Sequence, residues 1–368
     1  MKTKKKKTKN LMSVYFLAGI LCLSFSFLSC TGQKTDDVAQ LAYDLRVSGH
    51  ADSAIAVLNV ALESNPENAA AWYELARAKH HALLAGQKYE ISEIVANASE
   101  ASVLEPGNVV YAYYEGTIKF LDVYMDLMRG KEEVREKMLA SNEAFERALK
   151  ADACYAPAMI TLIEINAMLS EEEGGDYTKA ETYVAQLNKC SPVNGLKGQV
   201  FLLPEDASLV EFWQAAYEAN PGEATVADEL GRAWLLDGDI ENGRKFIEEA
   251  VSLDPDKSSA LIDLGRAMLM FAREDPENAK SLAVDAIAAF QQYLDMNPDA
   301  PGSIKAYTYK TMSRASKMSG DESKAEEYGA KANELDPFRS RASGSPSEYL
   351  YIAPGVVPEN TNYFSRPF

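Results

Sequence analysis

This chain is poor in the residues that do chemistry. Of 368 residues, three are histidine and four are cysteine. His80 and His81 are adjacent, so on a helix they point in different directions, and His50 stands apart. A metal site would need further donors at ligand spacing, and none is offered. A Gly-rich phosphate loop, a nucleophile elbow and a Cys–His pairing motif are all missing. The expectation is a non-enzyme without cofactor or metal. Glu171-Glu172-Glu173-Gly174-Gly175-Asp176 concentrates carboxylates but lacks the alternation of a calcium loop. It reads as a solvated turn before a helix starting near Tyr177. Basic residues are also short, 37 against 55 acidic ones, for a net charge of −18. Such a surface repels nucleic acid and anionic lipid.

What the chain does have is punctuation. Six helix-like runs end in an acidic or amide residue followed by proline: Asn65-Pro66, Glu105-Pro106, Asn220-Pro221, Asp254-Pro255, Asn297-Pro298 and Asp336-Pro337. Proline stops a helix because its ring lacks an N–H and clashes with the preceding turn. Each proline follows by five residues a position that closes a helical stripe: Ala61, Ala101, Ala216, Ala250, Tyr293 and Ala332. Stops in one phase indicate an internal repeat. The cleanest unit, Ala224 to Lys257, places apolar and small residues at three- and four-residue steps on both sides of a Gly238-Asp239 turn. Gly231 and Ala250 are small where two helix axes must approach closely.

This pattern resembles the tetratricopeptide repeat family. The resemblance is carried by Trp72, Leu75 and Ala76; Leu230 and Gly231; Leu264 and Gly265; Ala54, Leu58, Ala61 and Pro66; and Ala325, Ala332 and Pro337. It implies an all-α fold: a right-handed α-solenoid of about eight helix pairs over 36–338, divergent in 109–220, with an extended tail at 339–368. The family name fixes a scaffold, not an activity.

A leader precedes the repeats. Six lysines among the first ten residues are followed by the apolar run Leu11 to Leu28. That composition is a secretory signal, with a single membrane span as the rival reading. Phe27-Leu28-Ser29-Cys30 resembles a bacterial lipobox. The resemblance implies a signal peptide over 1–29, acylation of Cys30 and a tether over 30–35, with several acyl chains giving stable anchoring. No aspartate follows Cys30, so the inner-membrane retention signal is missing and a lipid-anchored place in the cell envelope, at the outer membrane, is expected. Asp36-Asp37 faintly resembles a surface-export signal; the favoured reading is a helix N-terminus carrying negative charge. Losing the six leader lysines leaves 31 basic residues and a net charge of about −24. Cys154 and Cys190 then remain, at the start and end of one expected helix pair. An exported compartment permits a disulfide between them; two free thiols are the alternative.

The candidate binding residues come from the repeat phase. By resemblance, the first helix of each pair lines the concave face. Tyr73, Arg77 and His80 share one side of such a helix at steps of four and three. The same phase gives Asp228, Arg232 and Leu235; Ile262, Arg266 and Leu269; and Lys310, Arg314 and Lys317, with Tyr113, Thr117 and Phe120 in the third unit. This row would suit carboxylate-bearing protein or extended peptide partners, since guanidinium groups grip carboxylates in bidentate fashion. The competing reading is internal: Arg232 paired with Asp228, and Arg77 stacked on Tyr73. The tail holds Tyr349-Leu350-Tyr351-Ile352-Ala353-Pro354 and ends Tyr363-Phe364-Ser365-Arg366-Pro367-Phe368. It is too aromatic for a solvated segment, so it docks on its own solenoid or on a partner. The function expected is a membrane-anchored scaffold for proteins or peptides in an envelope assembly. The alternative is an accessory transport subunit, because Gly174-Gly175-Asp176 and Lys179-Ala180 weakly resemble the T component of TRAP-type transporters.

Overall fold

The computed structural model describes residues 29–131, 134–337 and 348–357, without the side chains of 29–36, 348 and 349. The apolar leader run, Arg341 to Ser347 and the terminal Tyr363–Phe368 segment lie outside the described residues. Cys30 falls in the first helix, and its side chain is outside them too.

Among the described residues sixteen α-helices follow one another as eight successive pairs: α1 Ser29–Val47 and α2 Ala51–Ser64; α3 Ala69–Leu84 and α4 Ile91–Leu104; α5 Val109–Met128 and α6 Arg135–Ala151; α7 Ala156–Met168 and α8 Tyr177–Cys190; α9 Pro192–Val200 and α10 Leu209–Ala219; α11 Ala224–Leu236 and α12 Ile240–Leu253; α13 Ala260–Glu274 and α14 Ala279–Met296; α15 Gly302–Ser319 and α16 Glu322–Leu335. The two helices pack closely on one another in every pair but the fifth, where α9 packs on α8 and α10 on α11. Among the described residues there is no strand. No helix there is long and apolar enough to cross a membrane, and no group of three or more potential ligands could hold a metal ion.

The proline stops all close even-numbered helices. At each, the residue before proline sits just past the helix end, and its N–H bonds to the carbonyl four residues back: Asn65 to Ala61, Glu105 to Ala101, Asn220 to Ala216, Asp254 to Ala250, Asn297 to Tyr293 and Asp336 to Ala332. The next helix opens on a polar cap. Asn68 accepts from the Ala71 N–H and Asn108 from the Val110 and Tyr111 N–H groups, satisfying donors the first turn leaves orphaned. Within a pair the helices meet at small residues. A Cβ on Gly231 would come within 2.9 Å of the Ile247 backbone nitrogen, so α11 and α12 could not keep their spacing with any side chain there. In the divergent middle Pro192 opens the nine-residue α9, the shortest α-helix among the described residues.

Successive odd-numbered helices pack directly on one another, α1 on α3, α7 on α9, α11 on α13 and α13 on α15. Theirs is the inner face. Apolar clusters run between the pairs, anchored by fully buried Leu58, Phe145 and Phe290, each worth about 1.5–3 kcal/mol of transfer free energy. Cys154, before α7, is joined to Cys190, at the end of α8, with the Cα atoms 5.5 Å apart. The bond fastens both ends of the fourth pair.

The array returns on itself. Asp336, after α16, lies with its Oδ2 3.4 Å from Nε2 of His81 on α3 and accepts from the Ser303 hydroxyl of α15. A Cβ on Gly49 would stand 3.0 Å from the Leu335 carbonyl oxygen, so the turn after α1 touches the end of α16. The described part of the tail crosses near this seam. It is a short 3-10 turn, Glu348–Tyr351, rather than fully extended chain, and it lies on the first two pairs.

Candidate functional site on the inner face

Helical spacing assembles the site. Tyr43 and Arg46 are three apart on α1; Tyr73, Glu74, Arg77 and His81 recur at threes and fours on α3. Both arginines reach the same carboxylate. Arg46 Nε lies 2.7 Å from Glu74 Oε1, and Arg77 Nη1 lies 3.4 Å from Glu74 Oε2, with all three side chains fully buried. Aromatic rings enclose them. The Arg77 guanidinium sits 5.0 Å from the Tyr73 ring centre and 5.6 Å from that of Tyr43. Tyr73 packs against Tyr111 and Tyr114, and the Tyr114 hydroxyl meets Nδ1 of His80 at 3.3 Å. Burial raises the Tyr43 phenol above its usual range, with Arg77 and Arg46 pulling the other way.

Two guanidinium groups share the Glu74 carboxylate in a low-dielectric setting, and the tail adds carbonyl dipoles beside them. Arg46 Nη1 donates to the Leu350 carbonyl at 2.5 Å. Arg77 Nη2 donates to the carbonyls of Leu350 at 2.7 Å and Ile352 at 2.5 Å. The Tyr43 hydroxyl donates to the Tyr351 carbonyl at 2.5 Å. Three consecutive main-chain carbonyls are therefore held by side-chain donors. Leu350 and Tyr351 are buried, and the Tyr351 ring meets His81 edge-on at 5.9 Å.

In the second half, Arg232 lies 3.0 Å from Asp228 on its own helix and 2.8 Å from Asp263 on α13, and Arg266 lies 3.3 Å from the same Asp263. Burial opposes the charge on Arg232, but Asp228 and Asp263 outweigh it and raise its pKa. Its Nη2 is buried without a hydrogen-bond partner among the described residues. Lys197 pairs with Glu229 at 3.2 Å. Nearby, burial and then Lys197 lower the pKa of Lys257.

The middle and the end of the row differ from both. Tyr113 is enclosed by Phe145 and Tyr155, with ring centres 5.5 and 5.4 Å away, and Phe120 is half-buried. Glu164 on α7 carries an Oε2 with no hydrogen-bond partner among the described residues, and burial pushes its carboxyl up to about 7. On α15, Lys310 is half-buried while Arg314 and Lys317 are exposed. The basic residues of the row are thus not one open ladder. Arg77 and Arg232 are buried in ion pairs, Arg266 is half-buried in one, and Arg314 faces water.

Four participants were not foreseen from sequence: Tyr43, Arg46, Glu74 and Asp263. The signal for two was present, since Tyr43 precedes Arg77 by 34 residues and Arg46 precedes His80 by 34. Extending the row one unit upstream would have found them. Glu74 and Asp263 each precede an arginine of the row by three residues, the spacing at which helical side chains meet.

Helix pairs closed by phased proline stops, with the odd-numbered helices inward, define a tetratricopeptide-type solenoid. Residues 40–82, which hold Tyr43, Arg46 and Arg77, match the family model of the tetratricopeptide repeat. No curated protein matches the chain. Among solved structures it is similar to a thermophilic TPR protein of Thermus thermophilus, at 17% identity and TM-score 0.38, covering 64% of this chain and 99% of that one. It is also similar to MamA, at 14% identity and TM-score 0.30, covering 63% and 97%. Yeast Tom70 overlaps at 12% identity and TM-score 0.34, covering 83% and 76%. The solenoid assignment stands on the helix pairs themselves.

Proposed function

We propose that the protein is a lipid-anchored scaffold of a bacterial cell envelope that holds peptide segments of other proteins on its inner face. One observation carries the binding part: this face already grips a stretch of peptide main chain through Tyr43, Arg46 and Arg77. Helix-pair solenoids present such long surfaces for protein partners. The anchoring part rests on the leader and the lipobox-like Phe27-Leu28-Ser29-Cys30. The Cys154–Cys190 bond supports an oxidising compartment and hence export. The net negative charge keeps the body off anionic lipid and away from nucleic acid.

Amine-reactive crosslinking in intact cells, followed by peptide mapping, tests the binding part. Crosslinks from Lys310 and Lys317 to segments of a second protein support it. Crosslinks confined to even-numbered helices sink it. Labelled fatty acid should enter the native protein and not a Cys30→Ser variant; equal labelling of the two would remove the anchor.

A further inference from the structure

The tail contacts at the first two pairs have the chemistry of a receptor. In four hydrogen bonds the donor is a side chain of the solenoid, Tyr43, Arg46 or Arg77, and the acceptor is a main-chain carbonyl of the tail. Such recognition does not depend on which residues carry those carbonyls. Side-chain selectivity comes from the places taken by Leu350 and Tyr351, which are buried; Ile352, Ala353 and Pro354 are half-buried, and Gly355, Val356 and Val357 are exposed. The occupant is joined to the array by the ten residues 338–347, which include Ser340, Ser343, Gly344, Ser345, Pro346 and Ser347. A covalent link of that length makes the tail an intramolecular competitor for the site. It favours the bound state without making it permanent.

The geometry points to a peptide receptor at Tyr43, Arg46, Glu74 and Arg77 that the chain fills with its own Leu350–Ile352, and whose external partner is a peptide segment of another protein. That segment presents three consecutive carbonyls in a turn, with an aliphatic–aromatic pair where Leu350 and Tyr351 sit. The tail is then the competitor that any partner must displace. Apparent affinity in trans is reduced by the fraction of molecules with an empty site. The inference deepens the scaffold reading and rests on it only for the existence of an outside partner.

The probe is a fluorescent peptide of residues 346–357, titrated against the full-length protein. Leu350→Ser in the protein loosens the internal occupant. The probe should bind that variant at least tenfold more tightly than the native chain, and adding Arg77→Met should remove the gain. Equal affinity for native and loosened chains would overturn the inference. A second measurement needs no variant: saturating unlabelled peptide should speed hydrogen exchange at 348–357 in the native chain, and unchanged exchange would overturn it. A native chain that sediments as a dimer held by exchanged tails also overturns it, the occupant then being a second copy. Inner-face crosslinks to another protein with no probe binding would leave the scaffold standing and remove this site alone.

Discussion

Two clusters on the inner face share one arrangement of charges and differ in what surrounds it. Arg46–Glu74–Arg77 and Arg232–Asp263–Arg266 each place a carboxylate between an arginine of its own helix, three residues on, and an arginine of the preceding pair. Four residues before the arginine of the preceding pair stands Asp228 in the second cluster and Ala42 in the first. With Asp228 the second cluster carries two carboxylates for two guanidinium groups and is neutral by itself. With Ala42 there, the first cluster has Glu74 as the carboxylate its two guanidinium groups share, and the carbonyls of Leu350, Tyr351 and Ile352 add acceptors beside it.

The largest expected effect breaks the comparison at its carboxylates. Glu74→Ala removes the carboxylate that two buried guanidinium groups share, and removing one partner of a buried ion pair costs about 3–5 kcal/mol. Asp263→Ala leaves Arg232 still paired with Asp228, so its cost should be about 1–3 kcal/mol. Denaturant unfolding of the two variants measures the difference. Equal losses would show that Asp228 does not neutralise the second cluster.

These two clusters also mark how far the sequence could be read. The helix pairs were legible because proline, cap and small residue recur in phase, and backbone physics acts at each stop separately. Arg77 and Arg232 were recognised as members of one row, and the internal alternatives named for them, Tyr73 and Asp228, are both in contact. What the sequence did not carry was distance across pairs. Nothing in a linear reading places Arg46 on Glu74, or Leu350 on Arg77 from 273 residues away. The His81–Asp336 contact at the seam is hidden for the same reason, since it depends on superhelical curvature accumulated over eight pairs.

Next in size is the tail. Leu350 is buried in the apolar cluster of the first pairs, and truncating a buried leucine to alanine costs about 2–4 kcal/mol. Leu350→Ala should therefore loosen 348–357, seen as faster hydrogen exchange there, while α11 to α14 keep their protection. Loss of protection in the second half as well would mean that tail and array unfold as one unit and that the two clusters are not independent.

Glu164 lies on the stretch between the clusters and sharpens the contrast, because no arginine pairs with its carboxylate among the described residues. Its folded carboxyl titrates at about 7, against 4.5 for the free group. Between those values the unfolded chain has released its proton and the folded chain keeps it, so stability falls as pH rises through that window and the full cost applies above it. Glu164→Gln should raise stability at pH 8 by about 2–3 kcal/mol and change little at pH 4. A gain of the same size at both pH values would show that packing, and not ionisation, is responsible.

The smallest effect belongs to the end of the row. Arg314 is exposed on α15, and no ion pair or hydrogen bond of its side chain is found among the described residues. Arg314→Ala should alter stability by less than about 0.5 kcal/mol, whereas Arg232→Ala, which removes the guanidinium that Asp228 and Asp263 share in a buried site, should cost about 3–5 kcal/mol. The two arginines occupy one phase of the repeat, so the phase alone predicts equal behaviour and the environment predicts a several-fold difference. If Arg314→Ala also weakens crosslinking at Lys317 while leaving the melting temperature unchanged, the open end of the row is a contact for partners. If melting falls by several degrees, Arg314 is held within the fold as Arg232 is, and the last pair is a third filled cluster rather than a free surface.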